Sequence, residues 1–178
     1  IASTPRGYPI VLTSPREDFE AVSRRVDLSP YRFRYIPSGA DCASATERIL
    51  EIYELLEDDL LVSIPVDEAA LDGYEVDRVL EETRETDFGA ITCWCEFFEE
   101  SDALSPLSAK MVLNWRGEVL YMSRSPIPAA KSGTADWRQM RKHVGVFLFR
   151  RPFLDRLSAC REEVTGLDRL EGLEQLRW

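Results

Sequence analysis

Histidine occurs once in this sequence and methionine three times. No apolar run comes near the roughly 20 residues that a helix needs to cross a bilayer. With one histidine and four scattered cysteines, there is little material for a zinc site. Only Cys93 and Cys95, in "CWC", stand close together; on a strand they would share a face where a metal could sit, but buried free thiols are the expectation. Basic residues are also scarce: 22 Lys and Arg against 32 Asp and Glu give a net charge of −10. Such a surface excludes general attraction to nucleic acid or to an anionic membrane, so any phosphate-bearing ligand must find a local basic patch or a metal ion. The N-terminus lacks the charged, apolar and small-residue order of a signal peptide, and a cytoplasmic protein is expected. There is no internal repeat or low-complexity tract.

What is present fits one ordinary domain, residues 1–178, with 44% apolar and 30% charged residues. "YPIVLTS" reads as a strand, followed by a short helix with Phe19, Val22 and Val26 on its apolar side. "YRFRYIP" alternates as a half-buried strand does. "SATERILEIYELLEDD" is a helix whose apolar face is Ile49, Leu50, Tyr53, Leu55 and Leu56, with Ser44 and Glu47 spaced as a capping box. The strand "LLVSIPVD", a helix through "YEVDRVLEETRE" and the strand "GAITCWCEFF" complete an order typical of a parallel sheet wrapped by helices. The second half differs in character. "KMVLNWRGEVLYMS" is a hairpin turning at Arg116-Gly117, "HVGVFLFRR" is a strand, and two helices, "PFLDRLSAC" and "LDRLEGLEQLRW", follow.

Ligands of open α/β sheets sit beyond the carboxyl ends of strands. Asp67 and Glu68 come just after such a strand, where they either hold a hard cation such as Mg²⁺ or favour the dipole of the next helix. Arg124 stands where the strand "VLYMS" gives way to a proline-fixed corner; it is either a solvated hairpin residue or a cation held toward a cleft. His143, at the start of its strand, reads locally as a packed residue, and Glu174 and Gln175 as a solvated helix face.

Three late segments, taken in order, carry a resemblance. "MVLNWRGEVLYMSRSPIP", "HVGVFLFRRPFL" and "LEGLEQLR" resemble K-V-V-L-D-x-x-G-x-A-L-Y-F-S-R-x-x-I-P, H-x-G-I-Y-x-Y-R and L-E-x-L-E-Q-L-R of the CMP-Kdo synthetases, the 3-deoxy-manno-octulosonate cytidylyltransferases. Upstream, "IVLTSPRED", "SATER" and "VSIPVDEAAL" resemble that family's I-V-A-T-D-x-E-D, S-G-T-E-R and V-N-V-Q-G-D-E-P-x-I. The resemblance implies a Rossmann-like α/β nucleotidyltransferase of the GT-A type, a three-layer sandwich with a β-hairpin excursion. Residues 1–100 would form its nucleotide half, and residues 101–178 its sugar and dimerisation half. It implies CTP and a sugar acid as ligands, CMP transfer with release of pyrophosphate, Mg²⁺ as cofactor and a homodimer. Carried over residue by residue, it implies Arg6, Ser44, Thr46 and Arg48 near the nucleotide, Asp67 as metal ligand and catalytic group, Arg124 as catalytic and sugar-binding, and His143, Glu174 and Gln175 on the sugar side.

The sequence departs from that pattern at several points. "ASTPRGYPI" stands where the family has a glycine-rich triphosphate loop, with Tyr8 in place of its Lys. Pro65 and Val66 replace Gln-Gly, Ala45 replaces a Gly, Phe147 replaces a Tyr, and the segment bearing a second metal-binding Asp lies beyond Trp178. Two alternatives follow: a non-catalytic relative that binds a nucleotide or sugar or serves as a structural partner, and a transferase acting on another acidic substrate.

Overall fold

The structure, a computed structural model, describes residues 6–42, 44–66, 71–131, 133, 136–161 and 166–178. Strand β1 (Val11–Ser14) leads through Pro15 into α1 (Arg16–Ser23), whose first turn carries Glu17 and Asp18 at the positive end of the helix dipole. Strand β2 (Arg34–Pro37) pairs parallel with β1. The Phe19 ring stacks on Tyr35 with centroids 3.9 Å apart, fastening α1 to this two-stranded sheet. Val22 and Val26, expected on the apolar face, are about half exposed.

Helix α2 (Ala45–Ile52) begins as expected, with Ser44 Oγ accepting from Glu47 N at 3.2 Å. Ile49, Leu50 and Tyr53 are buried, but Leu55 is exposed, because the chain tightens into a 3₁₀ turn at Tyr53–Leu55 and rotates it outward. Next come β3 (Leu60–Ser63) and α3 (Gly73–Thr83), the latter closed by a reciprocal Asp72/Glu75 capping box. β4 (Ala90–Glu96), α4 (Glu100–Leu104), β5 (Lys110–Leu113) and β6 (Val119–Ser123) follow. The β5–β6 turn falls at the expected place, with Gly117 at φ +80°.

The longest described strand, β7 (Arg141–Arg150), organises the five-stranded sheet. It pairs antiparallel with β3 (Leu61↔Phe149), β4 (Ile91↔Leu148) and β5 (Lys110↔Lys142). The expectation of a parallel sheet through the first half is therefore corrected. β3 and β4 run the same way but do not pair, since β7, far later in sequence, lies between them. Only β1 and β2 form a parallel pair among the described strands.

Helix α5 (Arg151–Ala159), with proline in its first turn, packs Leu154 against Phe147, Phe149, Ile49, Leu50 and Tyr53. Phe149 and Leu154 are wholly buried, each stabilising the fold by about 1.5–3 kcal/mol. Trp178 meets Phe147, Phe149 and Phe153 edge-on, which seals this core. The expected single last helix is in fact two pieces. α6 (Leu167–Glu171) stops at Gly172, whose φ of +60° ends the helix, and a 3₁₀ turn, Glu174–Arg177, follows. None of the four cysteines is in a disulfide, but Cys42, Cys93 and Cys95 are only partly buried and Cys160 is exposed. No cluster of three metal-ligating side chains occurs among the described residues, and none of their helices is long and apolar enough to cross a membrane.

Candidate functional site

A cavity of about 680 Å³ opens where the start of α2, the end of β6, the first half of β7 and the α6–3₁₀ segment meet. Ser44, Arg124, His143, Glu174 and Gln175 all line it, so five of the nine residues singled out from sequence converge. Gly172 makes this possible: its left-handed turn swings Glu174 and Gln175 off the line of α6 and into the wall.

Arg124 is held by backbone. Its Nε donates to Glu171 O at 3.1 Å, and its terminal nitrogens donate to Leu107 O at 2.7 Å and Gly172 O at 3.2 Å. Its amide donates to a Glu171 carboxylate oxygen at 2.7 Å, and Glu171 also accepts from Ser123 and Tyr121. These contacts hold the Glu171 carboxyl below its ordinary range. Three of the five guanidinium N–H groups are thus committed to the wall, and two remain for a ligand.

His143 Nε2 lies 2.8 Å from Thr92 Oγ1. The Thr92 hydroxyl has one proton, and the carbonyls of Val144 and Val146, at 3.2 and 3.0 Å, are its acceptors. Giving that proton to one of these carbonyls makes Thr92 the acceptor from Nε2–H and leaves Nδ1 as a bare acceptor. Burial, together with the charge of Arg124, pushes the imidazole down to about 4. His143 is therefore neutral at pH 7 and offers a lone pair, which suits a ligand hydroxyl.

Glu174 sits over the N-terminus of α2, where its carboxylate accepts from Thr46 N at 3.2 Å. Burial raises its proton affinity, against the pull of Ser44 and Thr46. Gln175 Oε1 is buried and has no hydrogen-bond partner among the described residues.

Three of the remaining candidates, Thr46, Arg48 and Arg6, do not line this cavity. Thr46, in the first turn of α2, is buried. Arg48 donates to Ser38 Oγ at 2.7 Å and Gly39 O at 3.1 Å, bracing the loop before α2. Arg6 pairs with Glu81 on α3 at 3.0 Å, both side chains being exposed. Asp67 and Glu68 lie outside the described residues, although Pro65, two positions ahead of Asp67, lines the cavity. Of the carboxylates lining the described cavity, Asp168 gives Oδ2 to Arg177 and keeps a buried Oδ1 with no hydrogen-bond partner among the described residues, and Glu174 accepts from the start of α2.

Two lysines were among the groups that sequence reasoning missed. Lys110 is fully buried, and its three ammonium protons go to Ser105 O, Ser108 O and Arg124 O at 2.5, 2.8 and 2.9 Å. Lys142 pairs with Asp102 at 2.7 Å on the cavity wall, and together with a Ser108 hydrogen bond it lowers the Asp102 carboxyl. A lysine within the apolar run "AKMVL" was the available signal for the first. Nothing local signals the second, whose partners are 40 residues apart.

Residues 33–178 match the sequence model of the cytidylyltransferase family. The 3-deoxy-manno-octulosonate cytidylyltransferase of Escherichia coli is 31% identical over 137 residues, which is 77% of this chain and 54% of that protein. The enzyme of the same name from Desulfosudis oleivorans is 30% identical, over 94% of this chain and 65% of its own length. An 8-amino-3,8-dideoxy-manno-octulosonate cytidylyltransferase from a Shewanella species is 30% identical over 81% of this chain and 59% of its own. The chain thus spans between half and two thirds of these relatives. Among solved structures, a CMP:2-keto-3-deoxy-manno-octonic acid synthetase in complex with CTP superposes with a TM-score of 0.76 and 25% identity, covering 96% of this chain and 67% of that one. The α/β nucleotidyltransferase fold expected from sequence is the one observed. This chain belongs to the cytidylyltransferase family, and its likeness is to the 3-deoxy-manno-octulosonate members of it.

Proposed function

We propose that the chain forms part of an enzyme that transfers CMP from CTP to 3-deoxy-manno-octulosonate (Kdo) or a closely related sugar acid, releasing pyrophosphate. The observation that carries this reading is the convergence of Arg124, His143, Glu174 and Gln175 on one cavity, together with the charge of its walls. Arg124, Lys142, Arg169 and Arg177 line it against Asp168 and Glu174, a local excess of cations on a chain whose net charge is −10. An acidic ligand would concentrate there, against the repulsion of the net negative charge.

In such a transfer the anomeric hydroxyl oxygen forms a bond to the α-phosphorus of CTP as the bond from that phosphorus to the bridging oxygen breaks. Pyrophosphate leaves with the electron pair, and the hydroxyl proton is released. The chemistry calls for alignment and charge neutralisation rather than a covalent intermediate. Here the wall built by Arg124 and Glu171 would fix the acid, the Nδ1 lone pair of His143 would accept from one of its hydroxyls, and Ser44 would lie toward the nucleotide. Mg²⁺ is the expected cofactor, supplying charge neutralisation at the triphosphate when bound; Asp67, carried over from the family resemblance, is the oxygen donor proposed for it.

Two finer features belong to the same proposal. A homodimer would form through β6, at one end of the described sheet, where Val119, Leu120 and Tyr121 are exposed. The setting would be the cytoplasm, where CTP is available. A non-catalytic binding role is the second reading, favoured by Tyr8 at the position of the family's triphosphate Lys.

The test is pyrophosphate release from CTP, Mg²⁺ and Kdo. Release that depends on the sugar acid supports transfer. No release, and no rise in melting temperature with CTP, refutes it. Sedimentation of the wild type against Leu120→Lys checks the dimer, which should dissociate in the variant.

A further inference from the structure

Four cations line the cavity, and three of them are already engaged. Arg124 serves three carbonyls. Lys142 is paired with Asp102. Arg177 donates to Asp168 and, at 3.0 Å, to Glu47. The guanidinium of Arg169 alone has no hydrogen bond or ion pair to any described residue, although it lines the same cavity.

Its main chain, by contrast, is fixed on both sides. Asp168 is buried and tied to Arg177, and its carbonyl accepts from Leu173 N at 3.0 Å. Two residues on, Glu171 is held by Arg124, Ser123 and Tyr121. A charged fork that keeps its donors uncommitted, on a backbone anchored at either side, is arranged for an anion that arrives from outside. That anion is not expected to be the triphosphate. Arg6 and Arg48, carried over from sequence to the nucleotide, are spent on Glu81 and on the loop before α2 and do not line this cavity.

We infer that Arg169 binds the carboxylate of the sugar acid directly, making it a recognition residue that local sequence reading passed over. The inference rests on the transfer reading above for the identity of the acid. It makes Arg124 the residue that builds the wall and Arg169 the one that reads the charge. Lysine would keep the charge but lose the planar fork, so the two substitutions separate geometry from electrostatics.

The experiment compares wild type, Arg169→Gln and Arg169→Lys, with Kdo and CTP varied independently. It is paired with calorimetric titration of Kdo and of its methyl ester. Arg169→Gln should raise the KM for Kdo about tenfold to a hundredfold, with kcat and the KM for CTP changed less than about threefold. Arg169→Lys should fall between. The ester should bind wild type and Arg169→Gln equally, because it carries no charge to read. An unchanged KM for Kdo, or a rise confined to CTP, overturns the inference. If the wild type binds Kdo but releases no pyrophosphate, the transfer reading fails, and the titrations still decide on Arg169. If the wild type binds no Kdo at all, both fall.

Discussion

Because the chain has one histidine, the protonation of His143 can be followed without assignment. Its imidazole titrates at about 4 in the folded protein against an ordinary 6.5, first because it is buried and second because Arg124 opposes a further positive charge. The sign of the consequence is definite. Between these two values the unfolded chain binds a proton that the folded chain refuses, so this contribution to stability is fully present above pH 6.5 and is lost as pH falls toward 4. Applied to those values, linkage puts the loss between pH 7 and pH 5 at about 2 kcal/mol. The assay is a carbon-edited NMR titration of the single imidazole, with urea unfolding at both pH values for wild type and His143→Gln. The midpoint should lie near 4, the nitrogen shifts should report the Nε2–H tautomer, and the variant should lose about 2 kcal/mol less than wild type on acidification. A midpoint at 6 or above, or a protonated Nδ1 at pH 7, would refute both the burial argument and the role of His143 as a hydroxyl acceptor.

Other perturbations follow from the packing and from the carbonyl cage. Arg124→Ala should raise the His143 midpoint in the same titration, weaken Kdo binding at least about tenfold, and lower the melting temperature while leaving the circular dichroism unchanged. Equal Kdo affinity would remove Arg124 from the site. Lys110→Met strands three carbonyls but also relieves the buried charge of its desolvation, for a net loss of about 2–4 kcal/mol in urea unfolding; a variant as stable as wild type would show that the cage is not built as described. In Gly89→Ala, the new Cβ would stand 2.7 Å from Phe153 Cδ2 and 3.2 Å from its Cγ. The overpacking should cost about 1–3 kcal/mol. Adding Phe153→Leu should recover part of that loss, and no change in melting temperature for Gly89→Ala alone would contradict the packing.

The features that could be read directly from the sequence were those set by a few adjacent residues. The Ser44/Glu47 cap, the turn at Gly117 and the start of α5 at Arg151-Pro152 each follow from local backbone chemistry, and each is where it was expected. The direction of the sheet was not legible, because the insertion of β7 between β3 and β4 rests on pairings across some 45 to 90 residues that leave no periodicity in either strand. The last helix was misread because the apolar spacing runs unbroken through "LEGLEQL", and only the backbone angle of Gly172 shows that the two halves diverge. For the site, the ordered late segments located Arg124, His143, Glu174 and Gln175 together. They could not show that Arg124 is spent on carbonyls, nor that Arg169 and Lys142 complete the wall, since a cation's partners are a property of the fold.

The central place of β7 also bears on how the molecule can be born. Neither β3 nor β4 has another described partner in the sheet, so both wait for a strand that leaves the ribosome last among the seven. Until residue 150 emerges, two apolar ribbons remain unsatisfied along their edges, and closing them demands loops of some 45 to 90 residues. The same strand carries Lys142 and His143 at its opening and Phe147 to Phe149 further along. The β7 share of the ligand wall and the centre of the interior therefore arise in a single late event, and a nascent chain stalled short of it would possess neither.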